Sequence, residues 1–290
     1  MIAFRGIFGG RHPLSVTTKT ALPDGRTILC VNPYEVDFSV HEIFSEDFAA
    51  HGIDLPADGI YFDVGANIGL FAIYLRDHCA QGRIFAYEPM PAAFAALAGN
   101  AAALTPPAEA ISLGLGRAPG TLEFDYFPGI SALSTANRAV GEKLSAGLRE
   151  VLAGSGASEA VREIVERIGT TERMEEADFL DTLFRRESVT AEIDTLSNQL
   201  ASRGLETIDL LKIDTEGAEK EVLAGIADSD WPKIRQLLVE VHLGREETEI
   251  IEADLQRRGY RTSIGGHPLS EGGAPVFHIY ATRGLTGGKR

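Results

Sequence analysis

A carboxylate and two glycines stand at the end of an apolar run, in the order Asp-Val-Gly-Ala-Asn-Ile-Gly. The residues expected to surround a ligand there are Asp63, Gly65, Ala66, Asn67 and Gly69. Glycine lets a backbone approach a ligand closely and adopt a positive φ. In an open α/β sheet, the turn after the first strand lies where ligands bind. The charge of Asp63 disfavours a pyrophosphate and favours an amino group or a sulfonium. The Gly-x-x-x-Gly spacing also differs from the Gly-x-Gly-x-x-Gly of dinucleotide sites.

A second carboxylate follows the next apolar run. Glu88 comes directly after Arg83–Tyr87, and a carboxylate at the end of the second strand can accept hydrogen bonds from ribose hydroxyls. An acidic residue at such a place could also be an ordinary solvated cap, but its distance from the glycine turn favours the ribose role. Together the two features predict S-adenosylmethionine as the cofactor. Its amino-acid end would lie at the glycine turn, its ribose on Glu88 and its adenine near Ser112.

Two further carboxylates, Asp214 and Glu216, follow the apolar run Ile208–Ile213. At the end of a strand that faces the methyl donor they could touch the donor or the acceptor. Acidic residues near a helix N-terminus are also stabilising without any chemical role, and this is the interpretation that we favour for Glu219. We expect Asp214 to lie in the pocket, and Glu216 stays between the two alternatives.

A histidine ends the apolar run Gln236–Val241. His242 would face the same crevice as Asp214, and a side chain that titrates near neutral pH is suited to remove the proton of a hydroxyl acceptor. It could equally be an ordinary hydrogen-bonded residue. The predicted catalytic residues are therefore His242, Asp214 and Glu216. Together with Glu240 they could instead hold a metal through oxygen and nitrogen ligands, but no compact ligand spacing favours this over a metal-free mechanism.

The elements that must position these residues are read from the hydrophobic pattern. From Ile60 onward, short apolar runs alternate with helical periodicity, which predicts an α/β fold with a mostly parallel sheet covered by helices on both faces. Residues 1–55 form an N-terminal extension, with a β-hairpin around Pro23–Gly25 and a short helix at Glu42–Phe48. We expect a single domain over residues 1–290.

One stretch, residues 137–204, interrupts this alternation. It shows helical stripes and no strand signal, which predicts a helical insertion. Two interpretations stay open: extra helices that thicken the fold, or a lid that covers a substrate pocket. The stripe residues are Val140, Leu144, Leu148, Val151, Leu152, Val161, Ile164, Val165, Ile168, Leu180, Leu183, Phe184, Ile193, Leu196 and Leu200.

Composition excludes several classes of protein. The 290 residues carry 42 acidic and 27 basic side chains, a formal net charge of -15, so the surface repels phosphate backbones and anionic membranes. There is no apolar run long enough to span a bilayer and no secretory signal, which predicts a cytoplasmic protein. Cys30 and Cys79 lie among apolar neighbours and are expected to be reduced core residues.

The motifs also resemble a known family, the FkbM-type S-adenosylmethionine-dependent methyltransferases. The segments that carry the resemblance occur in the family's order: Asp63–Gly69, Tyr87–Pro89, Leu211–Glu219 and Val239–His242. The resemblance spans roughly Glu42 to Tyr280. It implies a Rossmann-like class I methyltransferase sheet of seven strands and, most often, O-methylation. Three further segments, His41–Phe44, His51–Ile53 and Asp230–Pro232, resemble the members that act in natural-product assembly, alone or inside megasynthases.

The resulting hypothesis is an O-methyltransferase that transfers the methyl group of S-adenosylmethionine to a hydroxyl of a small or carrier-bound secondary metabolite. Its expected partners are that acceptor, free or on a carrier protein, and a neighbouring megasynthase domain or a second copy of the chain. One alternative is a catalytically silent scaffold that keeps the nucleotide fold and docks a biosynthetic partner. A nicotinamide-dependent oxidoreductase is a second alternative, disfavoured by Asp63 and by the glycine spacing.

Overall fold

The computed structural model describes residues 17–153, 183–266 and 276–284. The strands in these ranges are β1 (Thr18–Ala21), β2 (Thr27–Cys30), β3 (Ile60–Val64), β4 (Arg83–Tyr87), β5 (Glu109–Ile111), β6 (Gly114–Leu115), β7 (Gly120–Tyr126), β8 (Glu187–Asp194), β9 (Leu210–Ile213), β10 (Gln236–Val241), β11 (Arg261–Gly266) and β12 (Phe277–Thr282). The α-helices are α1 (Pro33–Ser45), α2 (Leu70–His78), α3 (Pro91–Ala103), α4 (Arg138–Ala153), α5 (Leu196–Arg203), α6 (Glu219–Ala224) and α7 (Arg245–Arg257).

A seven-stranded sheet forms the centre of the molecule, in the order β11-β12-β10-β9-β3-β4-β5. The pairs β10–β9, β9–β3, β3–β4 and β4–β5 are parallel, whereas β12 runs antiparallel to both of its neighbours. The prediction of a mostly parallel, class I methyltransferase sheet is therefore confirmed. Because β3, β4, β9 and β10 run side by side in one direction, the residues that follow them meet at one edge.

The central strands are mostly apolar because helices cover both faces of the sheet, although β3, β9 and β10 also contain Asp63, Lys212 and Glu240. All residues of β9 and β10 are buried. One core cluster joins Phe62, Leu211 and Val239, and a second, on the opposite face, joins Tyr61, Leu210 and Leu238. Neighbouring residues of a strand point to opposite faces, so this division follows from the period of two.

The N-terminal extension agrees with the sequence only in part. The hairpin of β1 and β2 is present, with Thr18 opposite Cys30. The helix expected at Glu42–Phe48 is wrong in its bounds, because α1 begins at Pro33 and ends at Ser45. Proline is favoured in the first turn of a helix, and Val36 and Val40, four residues apart, bury one face against the core beside α2.

The stretch 137–204 contains a strand that the hydrophobic pattern of the sequence did not predict. Helices α4 and α5 are present, but β8 lies between them and pairs with β6 and β7 in a separate three-stranded sheet. Val189 and Ile193 are buried on one side of β8, as its period of two requires. The stripe residues from Val161 to Ile168, and Leu180, lie outside the described residues. The proposed lid therefore stays a prediction.

Two expectations from composition can be compared with the structure. Cys30 and Cys79 are both buried and free, as predicted. Among the described residues, no helix is both long enough and apolar enough to cross a membrane.

Candidate functional site

A cavity of about 870 Å³ opens at the carboxyl edge of the sheet, where β3, β4, β9 and β10 end. Volumes between about 300 and 1,000 Å³ are typical of small-molecule sites. The structure brings most of the predicted site residues together here, since the cavity lining includes Asp63, Gly65, Ala66, Asn67, Glu88, Asp214, Glu216 and His242. Gly69 and Ser112 are not part of this lining.

The glycine turn is shaped by close backbone contacts. Gly65 has a φ of +83°, and a Cβ at this position would lie 1.7 Å from the carbonyl oxygen of Asp214. Asn67 also has a positive φ, 47°, a conformation that costs free energy in a non-glycine residue and is concentrated at functional sites. Gly69 has a different role, because it precedes α2 with a φ of +88° and packs against Leu97. The turn therefore presents bare backbone to the cavity.

We expect Gly65→Ala to lower the free energy of unfolding by about 2–5 kcal/mol, because overpacking costs about 1–3 kcal/mol and a left-handed backbone about 1–2 kcal/mol. The matched control is Gly25→Ala, since Gly25 has a similar φ of +87° with no atom within 4 Å of the added Cβ. The control should lose only the backbone contribution of about 1–2 kcal/mol. Urea unfolding of both variants measures the difference, and equal losses would contradict the contact with Asp214.

Asp63 is a fully buried carboxylate beside the cavity. Its side chain is 0% exposed, and neither of its oxygens has a hydrogen-bond partner among the described residues. The nearest cation is the Lys212 ammonium, 3.7 Å from Oδ1, which lies closer to Asp214 Oδ2 at 2.8 Å. Burial raises the pKa of Asp63 to about 6, although Lys212 opposes the shift. A buried carboxylate without hydrogen bonds is costly, so Asp63 is suited to receive a cationic ligand.

Lys212 was not identified from the sequence. Burial alone would lower its pKa, but Asp214 and Asp63 more than offset that effect and raise it. A signal was present, because a lysine inside an otherwise apolar buried strand requires an anionic partner. Lys212 links the carboxylate at the end of β3 to the one after β9, and so it fixes the side of the cavity next to the glycine turn.

Glu88 supports the glycine turn from the end of β4. Its carboxylate accepts hydrogen bonds from the backbone N–H groups of Asn67, at 2.9 Å, and Met90, at 2.7 Å. Burial raises the pKa of Glu88 to about 7. A carboxylate has about four acceptor positions, so two remain for the predicted ribose contact. Ser112 is exposed, and the cavity is instead lined by the next residues, Leu113 and Gly114.

His242 lies at the centre of a cluster of carboxylates. Its Nδ1 is 3.1 Å from Glu219 Oε1, and its Nε2 is 3.2 Å from Glu240 Oε1. Glu216 Oε2 lies 3.4 Å and Asp214 Oδ1 4.0 Å from the same Nε2. Burial alone would lower the pKa of His242, but the surrounding carboxylates raise it well above 6.5. Carboxylates at both ring nitrogens therefore favour the protonated imidazole.

The carboxylates around His242 have different surroundings. Glu216 has a φ of 51°, another strained non-glycine backbone, and burial raises the pKa of its carboxyl although His242 opposes the shift. Glu219, expected only to favour the start of α6, is 1% exposed and accepts a hydrogen bond from the N–H of Gly217 at 2.8 Å as well as holding His242. These two contacts join Glu219 to the loop before α6 and orient the ring of His242.

Some of the same side chains could instead bind a metal ion. One possible ligand atom each of Asp214, Glu240 and His242 lies within 4.8 Å of the others, and the same holds for Glu42, Glu240 and His278. Oxygen and nitrogen donors of this kind suit several divalent metals. A protonated His242 satisfies the same carboxylates without a metal, so metal dependence stays a hypothesis.

Helix α1 and the loop after β7 form the other side of the cavity. Glu35 accepts hydrogen bonds from the backbone N–H and the hydroxyl of Ser131, at 2.7 and 2.6 Å, and from the side-chain amide of Asn32 at 2.6 Å. Residues 130–134 also line the cavity. His41 is exposed, whereas His278 lines the cavity together with Glu42 of α1.

The residues present fit S-adenosylmethionine. A cationic group of that molecule could bind the Asp63 oxygens, which accept no hydrogen bond from the described residues. The backbone of the glycine turn, which lines the cavity, could lie against its amino-acid end, and its ribose could use the remaining acceptor positions of Glu88. A pyrophosphate would meet these carboxylates instead of a cradle of backbone donors.

Comparison with known proteins connects this site to a family. The model of the methyltransferase FkbM domain matches residues 63–262, which include the glycine turn, Glu88 and the whole cluster around His242. A solved structure of methyltransferase FkbM from Methylobacillus flagellatus KT has 12% sequence identity and a TM-score of 0.45, and covers 78% of this chain and 44% of that chain.

Three curated relatives are similar over most of the chain. The AMB antimetabolite synthetase AmbE of Pseudomonas aeruginosa is 33% identical over 90% of the chain, but the chain spans only 12% of AmbE. The 31-O-demethyl-FK506 methyltransferase FkbM of Streptomyces tacrolimicus is 31% identical over 92% of the chain and 96% of that protein. Methyltransferase sdnD of Sordaria araneosa is 32% identical over 82% of the chain and 86% of that protein.

Proposed function

Since the chain belongs to the FkbM methyltransferase family, a family of S-adenosylmethionine-dependent enzymes, we propose that it methylates a hydroxyl oxygen of a small metabolite, free or bound to a carrier protein. The observation that carries this proposal is the cavity itself. Asp63, whose oxygens accept no hydrogen bond from the described residues, and the carboxylate cluster around His242 line the same space. The first group suits a cationic methyl donor, and the second suits removal of a proton from an acceptor.

The donor side consists of residues that follow β3 and β4. Asp63 would hold the cationic amino-acid end, the backbone at Gly65 and Ala66 would lie against it, and Glu88 would bind the ribose. When bound, S-adenosylmethionine supplies a methyl group that its sulfonium already activates. The chain's main contribution is therefore to align the acceptor oxygen with that methyl carbon, and positioning of this kind can lower a barrier by about 7–11 kcal/mol.

The acceptor side has to remove a proton. Carboxylates face both ring nitrogens of His242 and raise its pKa, which favours the protonated form, so we assign proton uptake to one of those carboxylates. Glu216 is the best candidate, because it lines the cavity and its Oε2 lies 3.4 Å from His242 Nε2. In this proposal His242 holds the cluster together by its charge, and Asp214 ties it to Lys212.

Two names among the relatives support the choice of oxygen and the kind of acceptor. The FkbM relative is named as a 31-O-demethyl-FK506 methyltransferase, which specifies an oxygen. AmbE is named as an antimetabolite synthetase, and this chain matches only a small part of that long protein. The proposed activity is therefore equally compatible with an acceptor that is bound to a carrier within such an assembly. The apolar side chains of α1 and of residues 130–134 suit an acceptor with apolar surface.

The test has a binding step and a chemical step. Calorimetric titration with S-adenosylhomocysteine should show one binding site, and the ligand should raise the melting temperature. Incubation with S-adenosylmethionine and paired acceptors, one with a free hydroxyl and one with that hydroxyl already methylated, should yield product only from the first. Transfer to nitrogen or carbon, but not to oxygen, would contradict the proposal.

A catalytically silent docking module is the alternative from another class. Such a module would not require an unpaired carboxylate at the donor turn or a base beside it. The absence of both binding of S-adenosylhomocysteine and stabilisation by it would favour this alternative.

A further inference from the structure

The peptide bond between Glu216 and Gly217 is held from both sides by side chains. Its carbonyl oxygen, that of Glu216, accepts a hydrogen bond from the Thr135 hydroxyl at 2.5 Å. Its N–H, that of Gly217, donates to Glu219 Oε1 at 2.8 Å. Because a peptide unit is planar, these two bonds together fix the orientation of that plane. Glu216 thereby keeps its φ of 51°, which a non-glycine residue retains only where its surroundings impose it.

Thr135 is fixed in turn by β7. Its N–H donates to the Asp125 carbonyl at 3.1 Å, and its carbonyl accepts from the Asp125 N–H at 2.9 Å. The Thr135 hydroxyl also accepts a hydrogen bond from the N–H of Asn137 at 2.9 Å, which leaves its own proton for the Glu216 carbonyl. Thr135 is 0% exposed and is not part of the cavity lining, although the residues on either side of it are. It is therefore placed to act on the Glu216 backbone and not on a ligand.

We propose that Thr135 is the positioning residue for Glu216, and that its hydroxyl keeps the Glu216 carboxylate in the cavity. The proposal rests on the proposed function, in which Glu216 receives the proton of the acceptor. The backbone angles of Glu216 set the direction in which its side chain leaves the main chain. With the present angles, the side chain lines the cavity and its Oε2 lies 3.4 Å from His242 Nε2.

Loss of the Thr135 hydroxyl removes one of the two bonds that oppose the strain at Glu216. A left-handed backbone is unfavourable for a residue with a Cβ, so the peptide unit would rotate and the φ of Glu216 would become negative. The side chain would then leave the main chain in a different direction, away from His242 and from the acceptor. A misplacement of about 1 Å can cost about 10²-fold in rate, so a small rotation is sufficient.

The start of α4 also packs against this peptide bond. Asn137 donates from its side-chain amide to the Gly217 carbonyl at 3.4 Å, and its Oδ1 accepts from the N–H of Val140 at 3.3 Å. Val140 lies against Gly217, where an added Cβ would be 2.6 Å from Val140 Cγ2. These contacts do not depend on the Thr135 hydroxyl. We therefore expect its loss to reorient Glu216 without detaching α4 from the turn.

Thr135→Val removes the hydroxyl and keeps the shape of the side chain. We expect its kcat to fall by about 10–100-fold, up to the loss that a misplacement of about 1 Å causes, with an unchanged KM for S-adenosylmethionine. Thr135→Ser, which keeps the hydroxyl, should regain most of the rate. The matched control is Thr248→Val, because Thr248 is also 0% exposed and its hydroxyl donates to the Gly244 carbonyl at 2.9 Å. Thr248 and Gly244 are not part of the cavity lining, so the control should keep the wild-type kcat.

A double-mutant cycle with Glu216→Gln separates positioning from a general loss of stability. If Thr135 acts through Glu216, Thr135→Val should lower kcat in the wild type and change it little in Glu216→Gln, because the base is already absent there. All variants are assayed well below their melting temperatures, so that unfolding does not contribute. Four outcomes would overturn the proposal: an unchanged kcat in Thr135→Val, an equal loss in Thr135→Ser, losses that multiply in the double variant, or a wild-type kcat in Glu216→Gln.

Crystal structures of Thr135→Val and Thr135→Ser test the positioning without any measurement of activity. In Thr135→Val we expect a negative φ at Glu216 and a longer distance from its carboxylate to His242 Nε2, whereas Thr135→Ser should keep the wild-type geometry. An unchanged Glu216 in Thr135→Val would contradict the proposal. If the wild type methylates no hydroxyl although these structures show the expected change, the proposed function fails, and the placement of Glu216 by Thr135 is retained.

Discussion

Asp63→Ala is expected to lower the affinity for S-adenosylmethionine by at least about 100-fold, which amounts to loss of binding at ordinary concentrations. The carboxylate is fully buried, and no described residue donates a hydrogen bond to it. A hydrogen bond to a charged group contributes about 1.5–3 kcal/mol, and each 1.4 kcal/mol changes affinity about tenfold. Calorimetric titration with the cofactor and with S-adenosylhomocysteine measures the change.

Two further variants separate charge from shape. Asp63→Asn keeps the size of the side chain and removes the charge, so it should lose nearly as much affinity. Asp209→Asn alters another buried aspartate, one that precedes β9 at the opposite edge of the sheet and bonds Arg235 at 2.6 Å and the N–H of Ile60 at 2.8 Å. It should reduce stability and leave binding intact. Near-normal affinity in Asp63→Ala would remove Asp63 from the donor site.

His242→Ala is expected to reduce kcat by about 10²–10⁴-fold, the range that general acid–base catalysis supplies, while donor binding is retained. The imidazolium is the cation between Glu216, Glu219 and Glu240. Without it these carboxylates repel one another or become protonated, and the base that faces the acceptor is lost. Single-turnover assays measure the rate, and calorimetry with S-adenosylhomocysteine measures the retained binding.

Loss of the imidazolium also reduces stability, so a second substitution is needed. His242→Gln can keep a hydrogen bond to one carboxylate without the charge, and it should fold better than His242→Ala and still turn over slowly. His41→Ala, on the exposed side of α1, serves as the control and should match the wild type. Turnover that survives in both His242 variants would assign proton removal to a group outside the cluster.

The sequence determined the sheet and most of the donor site. Each central strand is mostly apolar, and the polar residues at its end are visible in the sequence without any structure. Because parallel strands bring their carboxyl ends to one edge, Asp63, Glu88, Asp214 and His242 were expected to meet, and they do. The missed strand β8 has only Val189, Ala191 and Ile193 on its inner side. Ile193 also continues the apolar spacing of the following helix through Leu196 and Leu200, so the two periods overlap.

Only the tertiary structure decided how these groups are partnered. Hydrophobic periodicity tells which face of an element is buried, but it does not tell which side chain of a distant segment arrives beside it. The proton affinity of His242 depends on carboxylates from β10, from the segment between β9 and α6, and from the first residue of α6. The contact between Glu240 and His278 depends on a register of β10 against β12 that places the two residues opposite each other. Proton affinities in a buried site follow from such neighbours. The amino-acid sequence therefore specified where the chemistry occurs, and long-range packing specified the proton affinities of the groups there.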